Sequence, residues 1–190
     1  MKNEKIKTRL VEEIDQFVNQ SGVGDLYDVL DLDSLSELTY LQQCFNEALR
    51  WEAPLSRSTS MCMSEDVELP TFTMKANTIF VVDMYTLHRS KRYWKDPEQF
   101  IPERFDPTSE YFLTPDGKKR HTLTFTPFLG GKRICIGKTF AETSSKFIIA
   151  LFMNKCGKYL SFVNDSDYSK LPRNNALLFE VPEIIVKSDK

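Results

Sequence analysis

The loop from Phe128 to Gly137 constrains this chain more than any other segment. It places Cys135 directly before a strongly apolar helical pattern, with Arg133 two residues ahead of the cysteine. Backbone amides at the start of a helix lack intrahelical partners, and together with the helix dipole they stabilise an anion. A cysteine in this position, close to a guanidinium, is therefore expected to be a thiolate.

Other residues of the loop suit a flat ligand. Gly131 and Gly137 allow tight turns and a close approach of the backbone, and Phe128 stands where it can cover the sulfur and keep it dry. Arg133 suits a carboxylate such as a haem propionate, because guanidinium pairs with carboxylate through two parallel hydrogen bonds. Taken alone, Cys135 would more often be a buried structural thiol, since free cysteine usually behaves as a small hydrophobe.

The composition excludes several other classes of protein. The chain has 190 residues, enough for one domain with a hydrophobic core, and its net charge of −2 gives no indication of nucleic-acid binding. The cysteines form no C-x-x-C pair, which argues against a zinc site and against a disulfide framework. No apolar stretch is long enough to span a bilayer. The cysteines are widely separated, at Cys44, Cys62, Cys135 and Cys156.

Apolar periodicity predicts a mainly α fold with small β-sheets, an α+β class, in a single domain. Ser34 to Glu37 matches a capping box and predicts the start of the second helix, which Pro54 ends. The predicted segments are a helix over 4–20, a helix over 34–52, a small sheet within 57–83, a proline-rich meander over 93–107, the cysteine loop over 128–137, a helix over 138–155 and C-terminal strands within 159–187. The strand-like pieces are 57–63, 79–82, 159–163, 176–181 and 183–186.

Three motifs, in this order along the chain, resemble the cytochrome P-450 family. Glu47 and Arg50 match an E-x-x-R helix, residues 96–105 match D-P-x-x-F-x-P-E-R-F, and the cysteine loop matches F-x-x-G-x-R-x-C-x-G at every fixed position. Such a combination is specific. The chain is thus similar to the C-terminal part of this haem-thiolate fold, lacking its N-terminal half and its central oxygen-site helix.

The resemblance implies a haem b cofactor with Cys135 as the axial ligand of the iron. It also implies that Glu47, Arg50 and Arg104 form an interior charge network that holds the proximal side of the haem. The spacing of Glu47 and Arg50 suits a contact on one helical face. The predicted haem-binding residues are Phe128, Gly131, Arg133, Cys135 and Gly137 in the loop, with Arg57 and His88 as propionate partners; for His88 a satisfied structural histidine is an equal alternative.

Three positions depart from the family pattern. The usual H-R-D-P segment begins here as His88-Arg89-Ser90, Ala76-Asn77 stands where a glycine is common, and Ser144 replaces a frequent glutamate. These departures concern local details and leave the resemblance intact.

By the same resemblance, the chain is expected to be part of a monooxygenase that inserts one oxygen atom of O2 into a lipophilic substrate. Electrons would come from a flavoprotein reductase or a ferredoxin-type donor, docked on a basic face beside the cysteine loop. Full-length relatives are often anchored in the endoplasmic reticulum on its cytosolic side, and for this chain no anchor is expected. Segments 54–60 and 176–177 are expected to line the substrate pocket. The cations predicted for the docking face are Lys118, Lys119, Arg120, Lys132 and Lys138.

Two alternatives accompany this interpretation. We expect a fragment of a monooxygenase that is catalytically incomplete alone, and the alternative is a short haem-binding or vestigial module without turnover. A nucleotide-hydrolysing protein is a poor match, although Gly137-Lys138-Thr139 resembles the end of a P-loop. That loop requires four residues between its glycines, and five lie between Gly131 and Gly137.

Overall fold

The computed structural model describes residues 3–22, 24–162 and 184–186. The helices are α1 (Glu4–Ser21), α2 (Leu26–Val29), α3 (Thr39–Trp51), α4 (Met84–Arg89) and α5 (Lys138–Cys156). Single 3-10 turns lie at Ser34–Ser36, Pro102–Phe105, Glu110–Phe112, Thr122–Thr124, Gly131–Arg133 and Gly157–Tyr159. The strands are β1 (Val67–Glu68), β2 (Thr73–Met74), β3 (Leu160–Phe162) and β4 (Ile184–Val186). The predicted class, mainly α with small β-sheets, is confirmed.

Helix α1 forms where both ends are capped and one face is apolar. The Asn3 side chain accepts a hydrogen bond from the Ile6 amide at 3.3 Å, and Gly22 ends the helix in the left-handed conformation. Ile6, Leu10 and Ile14 recur at helical spacing and are buried. The apolar stripe in the sequence therefore becomes the face on which the other long helices pack.

The prediction of a helix over 34–52 is wrong at its start. Residues Ser34–Ser36 form a separate 3-10 turn, and α3 begins only at Thr39. The Ser34 hydroxyl does not cap α3; it accepts from the Asp31 amide and donates to the Val29 carbonyl. The capping-box prediction is wrong because Ser34 and Asp31 form reciprocal hydrogen bonds between side chain and main chain. Such local bonds compete with helix capping.

The first amides of α3 are satisfied by a residue distant in sequence. The Glu13 carboxylate on α1 accepts from the amides of Tyr40 at 2.6 Å and Leu41 at 2.8 Å. A carboxylate there also interacts favourably with the helix dipole. This cap joins α1 to α3, and no local pattern in the sequence predicts it.

The small sheet predicted within 57–83 is present but shifted. Strands β1 and β2 pair antiparallel, with Val67 opposite Met74. The predicted strands 57–63 and 79–82 are joined only by isolated bridges, Arg57 to Asp83 and Met61 to Phe80. Near this sheet, Asn77 has a φ of 62°, and asparagine tolerates this conformation better than most residues other than glycine. That tolerance explains how Asn77 replaces the glycine common in the family.

At the C-terminal end, β3 pairs antiparallel with β4, Ser161 opposite Ile185. The predicted strand over 176–181 and the pocket segment 176–177 lie outside the described residues.

The core lies among α1, α3 and α5. Leu10, Leu41 and Ala150, one from each helix, are fully buried. A Cβ on Gly157, just after α5, would come within 2.6 Å of a methyl carbon of Val11, so glycine allows the end of α5 to meet α1. Within the part of the chain that the structure describes, no helix has the length and apolar character needed to cross a membrane.

Candidate functional site

Glu47 and Arg50, at the middle and end of α3, form a buried ion pair. Arg50 Nε donates to Glu47 Oε2 at 2.7 Å and Arg50 Nη2 to Oε1 at 2.8 Å, and both side chains are almost entirely buried. The remaining guanidinium hydrogens reach the main-chain carbonyls of His88, Pro97 and Gln99. One arginine thus ties α3 to α4 and to the proline-rich meander.

Arg104, in the 3-10 turn of the meander, shares the same carboxylate. Its Nε donates to Glu47 Oε1 at 3.2 Å, and its Nη atoms donate to the carbonyls of Lys95 and Asp96. The Ile101 amide also donates to Glu47 Oε1, at 2.8 Å. The structure therefore brings Glu47, Arg50 and Arg104 together in the interior, where buried charges require this degree of pairing.

His88, on α4, lies beside this network and is 1% exposed. Its Nε2 accepts a hydrogen bond from the Thr126 amide at 3.0 Å, and its ring lies against Phe125 with centroids 5.4 Å apart. Burial, with the nearby charges of Arg50 and Arg89, lowers the pKa of His88 to about 4. The imidazole is thus neutral at pH 7, and with so little surface free, this arrangement does not favour the predicted propionate contact.

The cysteine loop is closed by main-chain hydrogen bonds. The Cys135 amide donates to the Phe128 carbonyl at 2.9 Å, and the Leu129 amide donates to the Thr126 carbonyl at 3.0 Å. The Cys135 carbonyl accepts from the Lys138 amide at 3.2 Å as α5 begins. These bonds set Cys135 directly ahead of the first turn of α5, as the sequence predicts.

Two of the three glycines of the loop, Gly131 and Gly137, have different structural roles. Gly131 has a φ of 62°, a conformation that favours glycine. Gly137 has an ordinary φ of −83°, and a Cβ there would lie 3.8 Å from the Cys135 sulfur, in plain van der Waals contact. Leu129 also adopts a left-handed φ, of 61°. Strained backbone of this kind is often found at functional sites.

The Cys135 side chain is exposed, and several of its neighbours in the sequence are exposed apolar residues. Arg133 is also exposed, Ile136 is fully exposed, and Phe140 on the first turn of α5 is 79% exposed. Exposed large apolar side chains close together in the chain suit a binding site. The loop therefore presents an exposed thiol between exposed apolar residues, with a guanidinium two residues away in the sequence.

The remaining predicted haem-binding residues lie in less specific settings. The Arg57 guanidinium is exposed and lies 3.6 Å from the Asp83 carboxylate, so it is accessible to another carboxylate. Phe128 is half-buried, and it contacts Cys135 through the main-chain hydrogen bond. A role for the Phe128 ring over the sulfur stays a prediction.

Arg120 does not belong to an exposed docking face, and its assignment to one is corrected. Its guanidinium donates to the carbonyls of Tyr111, at 2.8 Å, and Arg104, and it stacks 4.4 Å from the centroid of the Trp94 ring. Burial and the neighbouring charge of Arg104 lower its pKa to about 10, so it stays charged at neutral pH. The other predicted cations differ: Lys118, Lys119 and Lys132 are exposed, and Lys138 is half-exposed.

Two interior contacts escaped the sequence analysis. Arg120 lies in a run of charged residues whose other members are exposed, and no local pattern in the sequence distinguishes it from them. The contact between His88 and Thr126 joins residues far apart in the chain.

Comparison with known proteins agrees with this geometry. The family model described as Cytochrome P450 matches residues 1–184. Similar relatives include Cytochrome P450 4F6 of Rattus norvegicus, 36% identical over 64% of this chain and 21% of that protein. Cytochrome P450 4B1 of the same organism is 31% identical over 87% of the chain and 29% of that protein.

A third relative is the Steroid 17-alpha-hydroxylase/17,20 lyase of Rattus norvegicus, 30% identical over 90% of this chain and 31% of that protein. The chain thus spans less than a third of the length of each of these relatives. The matched region nevertheless includes the cysteine loop, the E-x-x-R helix and the meander. From its motifs, its buried network and this match, the chain belongs to the cytochrome P450 family.

Proposed function

We propose that this chain is the haem-binding region of a haem-thiolate monooxygenase, with Cys135 as the axial ligand of haem b. The observation that carries the proposal is the position of the Cys135 thiol, which is exposed, lies directly ahead of α5, and has the exposed apolar Ile134 and Ile136 on either side of it in the chain. Thiolate is the axial ligand typical of this family.

The residues around Cys135 fit a haem in size and chemistry. The exposed side chains of Ile134, Ile136 and Phe140 suit the apolar face of a macrocycle. The exposed guanidiniums of Arg133 and Arg57 suit its two carboxylates. The described part of the chain thus supplies a ligand, an apolar contact and charge partners.

When bound, a haem with a thiolate ligand supplies the chemistry for activating O2 and inserting one oxygen atom into a C–H bond. The residues of this chain have supporting tasks. The main-chain bonds from Cys135 to Phe128 and from Lys138 to Cys135 hold the cysteine main chain at the start of α5. The network of Glu47, Arg50 and Arg104 ties the meander to α3.

Absorbance spectroscopy tests the proposal. The full chain would be purified, reconstituted with haem, reduced and exposed to CO. We expect the red-shifted Soret band of thiolate ligation in the wild-type chain and in Cys62→Ala, and its loss in Cys135→Ala. Cys62 is the matched control because it is also an exposed cysteine. No haem uptake by the wild-type chain, or an identical spectrum in Cys135→Ala, would refute the ligand assignment.

The electron donor is proposed to be a flavoprotein reductase or a ferredoxin-type protein that docks beside the cysteine loop. The support is the exposure of Lys118, Lys119 and Lys132, with Lys138 at the start of α5. Because complementary charge acts mainly on association rate, Lys132→Glu should slow donor binding. Lys75→Glu, which changes a lysine paired with Asp66 in the small sheet, is the control.

The substrate is proposed to be a lipophilic organic molecule. The relative named as a steroid hydroxylase acts on such a molecule by its name, and the proposed pocket segment 54–60 begins with the apolar Pro54 and Leu55. The haem-loaded chain, mixed with a reductase and NADPH, distinguishes a monooxygenase from a haem-binding module without turnover. Formation of an oxygenated product supports the enzyme. The cytosolic side of the endoplasmic reticulum remains the proposed location, from the family resemblance.

A further inference from the structure

The segment that leads into the cysteine loop is held from the protein interior at Thr126. Thr126 is 9% exposed, and its amide donates to His88 Nε2 at 3.0 Å. Its carbonyl accepts from the Leu129 amide at 3.0 Å, so both main-chain groups of this residue are bonded. Two residues later, the Phe128 carbonyl accepts the Cys135 amide. A short series of main-chain bonds therefore connects the imidazole to the cysteine.

The other side of His88 is bonded to the buried charge network. The His88 carbonyl accepts from Arg50 Nη1 at 2.9 Å, and Arg50 is paired with Glu47. His88 is thus bonded to Arg50 through its main chain and to Thr126 through its side chain. Hydrogen bonds of His88 thus reach both the E-x-x-R pair and the segment before the loop.

The chemistry of the imidazole suits this role. An N–H···N bond requires an unprotonated ring nitrogen as acceptor, and the His88 ring is buried with the cations Arg50 and Arg89 as its charged neighbours. The ring also packs against Phe125, which itself contacts Phe105 with centroids 4.8 Å apart. Packing fixes the ring, so Nε2 offers the amide one well-defined acceptor position.

We propose that His88 is a positioning residue for Cys135. By accepting the hydrogen bond of the Thr126 amide, it fixes the position of the cysteine loop relative to the buried charge network. The link to iron ligation rests on the proposed haem-thiolate function, whereas the link to the loop does not. The arrangement of the thiolate relative to the haem plane would then depend on a side chain that touches neither the haem nor the sulfur.

Two substitutions separate the hydrogen bond from simple packing. His88→Leu fills the space without an acceptor. His88→Gln retains an acceptor, because its terminal oxygen can occupy a place close to that of Nε2. Thr126→Val serves as a further control, since it keeps the amide and removes only the hydroxyl, which is buried without a hydrogen-bond partner.

Amide hydrogen exchange in the full chain without haem tests the first link. In His88→Leu, exchange at Thr126 should accelerate at least about fivefold, as expected for one lost hydrogen bond, whereas His88→Gln and Thr126→Val should match the wild type. The Ile101 amide, bonded to Glu47, is the internal reference and should not change. Equal exchange at Thr126 in the Leu and Gln variants would overturn the proposal.

Spectroscopy of the haem-loaded chain tests the second link. His88→Leu should lose part of the red-shifted CO band or shift the reduction potential, and His88→Gln should restore both. If exchange responds but the wild-type chain binds no haem, the proposed function fails and the loop contact stands. An unaltered band and potential in His88→Leu would overturn the link to ligation.

A measurement on the wild-type chain covers the case in which His88→Leu does not fold. Nuclear magnetic resonance of a nitrogen-15-labelled chain detects scalar coupling across an N–H···N hydrogen bond. We expect a coupling between the Thr126 amide nitrogen and His88 Nε2. Its absence at neutral pH would overturn the proposal without any substitution.

Discussion

The buried network and the cysteine loop differ in the solvent exposure of their functional side chains. Around Glu47, three charged side chains lie almost entirely out of solvent, and the carboxylate and both guanidiniums are hydrogen-bonded inside the chain. In the loop, Cys135 and its apolar neighbours Ile136 and Phe140 are exposed. The network is thus complete within the described residues, whereas the loop presents its groups outward.

The difference in exposure indicates that the network contributes mainly to stability, whereas the loop is available for binding a ligand. A buried ion pair costs much desolvation free energy, so it is tolerated only when every donor and acceptor is satisfied. An exposed thiol in an apolar surface contributes little to folding but is accessible to a ligand. We therefore expect substitutions in the network to change stability, and substitutions in the loop to change ligand binding.

The largest effect is expected from Glu47→Gln. Loss of the shared carboxylate charge leaves Arg50 and Arg104 buried without a counter-ion, and the free energy of unfolding should fall by about 3–5 kcal/mol. Urea denaturation followed by circular dichroism measures it. Glu103→Gln, which removes a partly exposed partner of Arg9, is the control and should cost less than about 1 kcal/mol. Equal costs would remove the contrast between buried and exposed charge.

A smaller effect should appear as a pH dependence that belongs to His88. Its pKa is lowered to about 4 in the folded chain, so the unfolded chain binds the proton first as pH falls. Stability should therefore decline between about pH 6.5 and 4, by up to about 3 kcal/mol from this residue. The difference in unfolding free energy between wild type and His88→Gln, followed across this range, isolates the contribution. The two curves would run parallel if His88 were already protonated in the folded chain.

Arg120→Lys should have a moderate effect. Lysine cannot donate to the Tyr111 and Arg104 carbonyls together or stack as a plane on Trp94. We expect a loss of about 2 kcal/mol in the free energy of unfolding. Lys118→Arg, a substitution at an exposed neighbour, should stay within about 0.5 kcal/mol. If Arg120→Lys lowered the free energy of unfolding as little as Lys118→Arg, the interior contacts of Arg120 would not be stabilising and its correction would be wrong.

The smallest change in stability is expected from Cys135→Ala. The side chain is exposed, so the unfolding free energy should change by less than about 0.5 kcal/mol while thiolate ligation of haem is lost. Thermal and urea denaturation of the chain without haem measure the first quantity, and the CO spectrum measures the second. A loss of several kcal/mol would mean that the loop also supports the fold.

Several parts of this molecule were predictable because their causes are local. The helices α1 and α5 follow from apolar residues at helical spacing and from helix caps such as Asn3. The position of Cys135 ahead of α5 follows from the loop motif. The spacing of Glu47 and Arg50 brings them onto one helical face, so their contact required no knowledge of the rest of the chain.

The failures have a common cause, which is that the deciding partner lies far away in sequence. The start of α3 depends on Glu13, which reaches its first amides from another helix. Strand-like runs around Arg57 formed only isolated bridges, because strand propensity depends on neighbours that the sequence does not reveal. Sequence likewise gave equal weight to two roles for His88.

By itself the sequence determined the family and the helical class, and it predicts Cys135 as the iron ligand, because short motifs carry that information in their spacing. Only the tertiary structure decided which polar groups are buried. Arg120 became an interior donor while the adjacent Lys119 stayed exposed, and His88 came to hold Thr126. Burial arises from how separate segments pack, and a charged or polar residue in the interior survives only where that packing supplies its hydrogen-bond partners.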